Sequence, residues 1–131
     1  ATPIYDNREK TFYSLLDDIA KSGANLTLKN ISVKTNATSA NGVFSYGGSA
    51  TTNNSSSDGT TITISDSSIT TLKDNSGGIM TTGGGNMNAY NLTINTSGTS
   101  SAAIRTDRGG GTVTVEGGTY TTFLYITLYL S

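Results

Sequence analysis

Residues Ile62 to Ile79 read ITISDSSITTLKDNSGGI, and two other segments superpose on them position for position: Leu26 to Val43 (LTLKNISVKTNATSANGV) and Met87 to Ile104 (MNAYNLTINTSGTSSAAI). In each, the first and last apolar residues stand 17 apart. Leu28, Ile64 and Ala89 align between them, as do Val33, Ile69 and Ile94. A fourth copy opens at Val113, with Val115 and Tyr120 in the matching places. The copies begin at 26, 62, 87 and 113, which gives spacings of 36, 25 and 26. The long first interval holds the Ser/Asn/Gly run Ser49 to Gly59, which reads as a loop insertion. Self-similarity at this period marks an architecture in which each copy stacks on the next.

Within a copy the pattern has period two, the signature of strands. The first piece is Thr61-Ile62-Thr63-Ile64 or Thr112-Val113-Thr114-Val115; the second runs through Ile69 or Ile94 into Thr71 or Thr96; the third centres on Val43, Ile79 or Ile104. Turn-formers separate them: Ser65-Asp66-Ser67, Asp74-Asn75-Ser76-Gly77 and the triplets Gly83-Gly84-Gly85 and Gly109-Gly110-Gly111. Three strands per copy of about 25 residues, always in the same order, predict an all-β parallel β-solenoid of about four coils. Hairpins would not preserve that order. Stacking at about 4.8 Å would then align equivalent residues into ladders. Leu26, Ile62, Met87 and Val113 form one inward ladder in this reading, and Val33, Ile69, Ile94 and Tyr120 another. Thr35, Thr71, Thr96 and Thr122 form an unbroken threonine column, expected to bond along the stack.

Three segments follow. Residues 1–24 read as an N-terminal capping segment, with Phe12, Leu15, Leu16 and Ile19 at helical spacing and Gly23 as its stop. Such a helix would cover a raw apolar end and an unpaired strand edge. Residues 25–122 are the coils, with the insertion near 47–59. Residues 123–131 form an apolar C-terminal strand or a truncated coil, because Leu124, Ile126, Leu128 and Leu130 alternate with Phe123, Tyr125, Thr127 and Tyr129. Phe123, Tyr125 and Tyr129 with the solenoid end are the candidate self-association surface.

Composition narrows the chemistry. The 131 residues include 24 Thr, 17 Ser, 16 Gly and 12 Asn, and no His, Cys or Trp. Without His or Cys there is no imidazole base, thiolate nucleophile, zinc site or disulfide framework. Eight basic against nine acidic residues leave a net charge of −1, which argues against an electrostatic nucleic-acid surface. No run of 18 apolar residues offers a transmembrane segment, and no basic and apolar leader opens the chain, so any signal peptide is expected to be already removed. A Cys-free chain rich in Thr, Asn and Gly fits a secreted or cell-surface bacterial protein.

The runs Ser76-Gly77-Gly78-Ile79, Thr81-Thr82-Gly83-Gly84-Gly85, Ser101-Ala102-Ala103-Ile104-Arg105-Thr106-Asp107-Arg108-Gly109-Gly110-Gly111 and Thr112-Val113-Thr114-Val115-Glu116-Gly117-Gly118-Thr119-Tyr120 carry a resemblance. Over residues 25 to 122 the chain resembles bacterial adhesin-like proteins of the right-handed parallel β-helix type, similar in fold to pectate lyases and autotransporter passenger domains. The resemblance implies an extracellular setting and, in some members, polysaccharide binding assisted by Ca²⁺.

Catalysis finds no support in the alignment. Lyases on this fold need stacked acids with an Arg or Lys base, and glycosidases need paired carboxylates. Asp66 aligns with Asn30 and Asn91, and Asp74 with Thr38 and Thr99, so no column stacks acids. The one compact charged group is Arg105, Asp107 and Arg108, where an Arg fork suits a sugar carboxylate or, more plainly, a solvated ion pair. The candidate binding face is the outward column Phe44, Met80 and Arg105, with Tyr46, Thr82 and Asp107 beside it, which suits an extended glycan. The leading expectation is a non-catalytic adhesin-type protein that presents a polar ladder surface to polysaccharide or host glycans. The alternatives are a structural, self-assembling module, an ice-binding threonine array, which Asn25, Asn86 and Asn88 interrupt, and a polysaccharide lyase-like enzyme.

Overall fold

The computed structural model describes residues 23–48 and 57–123. They are all-β, with nine strands and no helix: β1 (Asn25–Lys29), β2 (Ser32–Thr35), β3 (Val43–Tyr46), β4 (Thr61–Ser65), β5 (Ser68–Thr71), β6 (Ile79–Thr82), β7 (Gly85–Thr96), β8 (Ile104–Thr106) and β9 (Gly111–Thr122). None of the described residues belongs to a helix long and apolar enough to cross a membrane. Every strand pair is parallel, and the pairing register is the alignment of the copies: Leu26 with Ile62, Ile62 with Met87, Met87 with Val113. Val33, Ile69, Ile94 and Tyr120 are likewise neighbours in sequence order.

The strands do not, however, assemble into the four-coil solenoid that the repeat predicts, nor into the right-handed parallel β-helix that the resemblance implies. They form a six-stranded sheet, ordered β1-β4-β7-β5-β2 with β9 also on β7, that curls into a half-barrel, and a separate three-stranded sheet, β3-β6-β8. The cause lies in β7 and β9. In the first two copies the chain breaks between the first and second strands at Asn30 and Asp66, where φ is 55° and 50°. At Asn91 the backbone makes the same left-handed turn, φ 53°, yet β7 keeps pairing on both sides of it, with Tyr90 beside Glu116 and Leu92 beside Gly118. One 12-residue strand therefore joins β4 on its first half to β5 on its second, and two rows that the repeat reads as separate become one sheet. The N-terminal capping helix, most of the loop insertion and the C-terminal strand after Phe123 lie outside the described residues.

The core sits between the two sheets. Ile62, Ile64, Met87, Ala89, Leu92 and Ile94 come from the large sheet, Val43 and Ile79 from the small one, and all are fully buried. Strand β4 shows how: in Thr-Ile-Thr-Ile-Ser the isoleucines are buried and the hydroxyls half-exposed, as period two requires. Burial of each such side chain contributes roughly 1.5–3 kcal/mol.

Two polar columns run through this interior. Thr35, Thr71 and Thr96 are fully buried. Their hydroxyls chiefly bond within their own copy rather than along the stack: Thr35 donates to the Ala40 carbonyl and Thr71 to the Ser76 carbonyl, both at 2.7 Å, and Thr96 to the Ser101 carbonyl. Each bond closes the bend toward the small sheet. Only Thr96 also bonds its neighbour Thr122, at 3.1 Å. The second column does link copies, for the Ala40 N–H donates to Ser76 Oγ and the Ser76 N–H to Ser101 Oγ.

A third column is not satisfied. The Ser45 and Thr81 hydroxyls, adjacent across β3 and β6, are buried without a hydrogen-bond partner among the described residues. An unpaired buried hydroxyl costs about 1–3 kcal/mol. Thr81→Val keeps the side-chain shape and removes that group, so thermal or denaturant unfolding should show the variant about 1 kcal/mol more stable than the parent. A destabilised Thr81→Val would mean that the hydroxyl has a partner after all.

Candidate functional site

The last residue of β3, Tyr46, pairs with Thr82 at the end of β6. The third copy extends that row past β8, because the Asp107 N–H donates to the Thr81 carbonyl at 3.1 Å. A tight turn follows, closed by the Gly110 N–H on the Asp107 carbonyl at 2.7 Å, with Gly109 and Gly110 at φ 77° and 60°. That left-handed pair is the corner expected of the glycine triplet, since a side chain is strained there. The turn is held against the previous copy by the Gly83 N–H, which donates to the Arg108 carbonyl at 2.7 Å. Tyr46, Thr82, Asp107 and Arg108 together line a recess of about 210 Å³.

The charges in this corner are unequal. Asp107 is engaged twice: Oδ1 accepts the Arg108 N–H at 2.9 Å, and Oδ2 pairs with Arg105 Nη2 at 3.4 Å. Arg105 also reaches the Ser100 carbonyl at 3.4 Å and lines a different hollow, with Gly98, Ser100, Ser101, Ala102 and Thr122. The side chains of Arg105 and Asp107 are 22% and 49% exposed, so this ion pair is partly solvent-screened. The exposed guanidinium of Arg108 makes no hydrogen bond or ion pair among the described residues.

Phe44, Met80 and Arg105 do form one row across β3, β6 and β8. Yet Phe44 and Met80 are only 8% and 6% exposed, and so do not present the open aromatic face that the sequence suggests. Alternation along a strand tells which face a side chain takes; whether that face is covered is a separate matter. In β3 only Tyr46 is less than buried, and in β6 all four residues are buried. Of the candidate self-association residues, Phe123 is 48% exposed, while Tyr125 and Tyr129 lie outside the described residues. Among the described residues no three acidic side chains gather into a group that could hold a metal ion.

A second feature went unread in the sequence. Asn30, Asp66 and Asn91 line a groove of about 470 Å³ together with Ser32, Ser68, Thr93, Ile31 and Ser67. The signal in the sequence is the column Asn-Asp-Asn four residues into each copy, whose left-handed backbone also explains those residue types. On the outer face of the large sheet, Thr61 lies between Asn25 and Asn86, and Thr63 between Thr27 and Asn88, a mixed hydroxyl and amide surface.

No protein-family model matches this chain, and no curated protein and no solved structure matches it either.

Proposed function

We propose that the chain is a non-catalytic carbohydrate-binding protein acting in a secreted or cell-surface setting, with the Tyr46–Thr82–Asp107–Arg108 recess taking one acidic sugar unit of a glycan. The observation that carries this reading is the composition of the recess. It joins an aromatic ring, a hydroxyl and an Arg108 guanidinium without a protein partner among the described residues, in a volume of about 210 Å³. An aromatic body offers a sugar its apolar face, and a guanidinium fork matches a carboxylate. The Gly110 N–H on the Asp107 carbonyl and the Gly83 N–H on the Arg108 carbonyl hold the turn that carries Arg108. The Cys-free, hydroxyl-rich composition supports the extracellular setting.

Retention on immobilised polygalacturonate and alginate tests this. The protein should bind a uronate polymer, and a chelator should leave binding unchanged. Arg108→Ala should weaken binding about ten-fold, as loss of one charge-assisted contact does, with the unfolding midpoint unaltered. Absence of retention on both polymers, or retention that ignores the substitution, would overturn the reading.

A further inference from the structure

We infer that the Asn30–Asp66–Asn91 groove is a second glycan site, built for an extended, uncharged polysaccharide laid across the strands. Three neighbouring strand rows each supply one amide or carboxylate and, two residues on, one hydroxyl: Asn30 with Ser32, Asp66 with Ser68, Asn91 with Thr93. The pairs recur at the inter-strand distance of about 4.8 Å, so the groove is a row of equal polar rungs. A linear glycan repeats its hydroxyls in the same manner, one set per unit.

The positive φ of Asn30, Asp66 and Asn91 accounts for an Asn or Asp at each place, because these residues tolerate the left-handed region. It does not account for the hydroxyls of Ser32, Ser68 and Thr93, which line the same groove of about 470 Å³. The fourth copy places Gly117, φ 69°, at the same point, so the backbone requirement is met there with no side chain and the amide row stops.

The hydrogen-bond pattern leaves capacity for a ligand. The Asn91 amide donates to Asp66 Oδ1 at 2.9 Å, which orients the carboxylate, and Ser68 donates to Ser32 at 3.3 Å. The side chains of Asn30 and Thr93, which both line the groove, make no hydrogen bond among the described residues. Asp66 is the one charged residue among the described residues of the lining, so the groove offers acceptors to sugar hydroxyls and disfavours anionic sugars, unlike the Arg108 recess.

Calorimetric titration with neutral cello- and manno-oligosaccharides of two to six units tests the site. Affinity in one of the two series should rise with length and level off once the three rungs are spanned. Asn91→Gly keeps the left-handed backbone, as Gly117 does, and deletes the amide; with Ser68→Ala it should weaken binding about ten-fold, the equivalent of one or two lost hydrogen bonds. Arg108→Ala should leave neutral binding intact, which separates this site from the acidic one. No binding in either series, affinity independent of length, or binding that the Asn91→Gly/Ser68→Ala pair leaves unchanged would overturn the inference. So would neutral binding lost in Arg108→Ala.

Discussion

Ile69→Ala should lower the stability of the fold by about 3–4 kcal/mol, the cost of a cavity where a large aliphatic side chain is fully enclosed. Ile69 is completely buried and sits in the middle of its row, between Val33 on β2 and Ile94 on β7. Its Cγ2 also lies where a Cβ on Gly42 would fall, so the side chain fills space up to the backbone of the first copy. Parallel pairing holds the neighbouring rows at a set distance, which leaves the site little room to collapse around the missing atoms. At roughly 4 °C per kcal/mol, the unfolding midpoint should fall by about 12–16 °C. Thr70→Ala, one residue away on the outward face, should stay within about 0.5 kcal/mol of the parent. If the two variants unfold alike, the inward and outward assignment of β5 is wrong.

Gly78→Ala should be nearly as damaging, by about 3 kcal/mol, for the opposite reason. A Cβ at Gly78 would fall on Ile94 Cγ2 and 2.5 Å from the Ala103 carbonyl oxygen. That carbonyl accepts the Ile79 N–H at 3.0 Å and is locked in the ladder, so it cannot move aside. The equivalent place is glycine in the first copy, Gly42, where a Cβ would meet the Gly78 carbonyl at 2.6 Å. In the third copy it is Ala103, buried yet accommodated. Glycine is thus required wherever the carbonyl of the following copy stacks on the position, and not where the row ends. Denaturant unfolding should therefore find Gly78→Ala strongly destabilised. Adding Ile94→Ala should not rescue it, because the carbonyl remains. Recovery of stability in that double variant would mean that the side chain, not the backbone, sets the limit.

The proposed glycan sites divide along a similar line between local and spatial information. Tyr46, Arg105, Asp107 and Arg108 are visible in the sequence as a charged and aromatic cluster beside a glycine triplet. Which of the two arginines faces the recess is not. Arg105 precedes the turn and folds back onto Asp107 and Ser100, whereas Arg108 sits within the turn and lines the recess. The Asn30–Asp66–Asn91 groove was hidden for a different reason. Its residues satisfy a backbone requirement, so their type has an explanation before any ligand is considered, and only the groove they share with Ser32, Ser68 and Thr93 adds another.

From sequence alone follow the strand positions, the inward columns and the register of every parallel pair, because a ladder of equivalent residues must repeat in the sequence when identical strands stack. Tertiary structure alone decided three things. Whether Asn91 ends a strand or bends it depends on the partner that β9 offers on the far side, and so two predicted rows merged into one curled sheet in place of a solenoid. Whether Phe44 and Met80 are open to a ligand depends on what covers the outer face of the small sheet, which alternation cannot record. Where the buried threonine hydroxyls bond depends on which carbonyl the bend brings within 2.7 Å, a distance set by the path of the chain and not by its pattern.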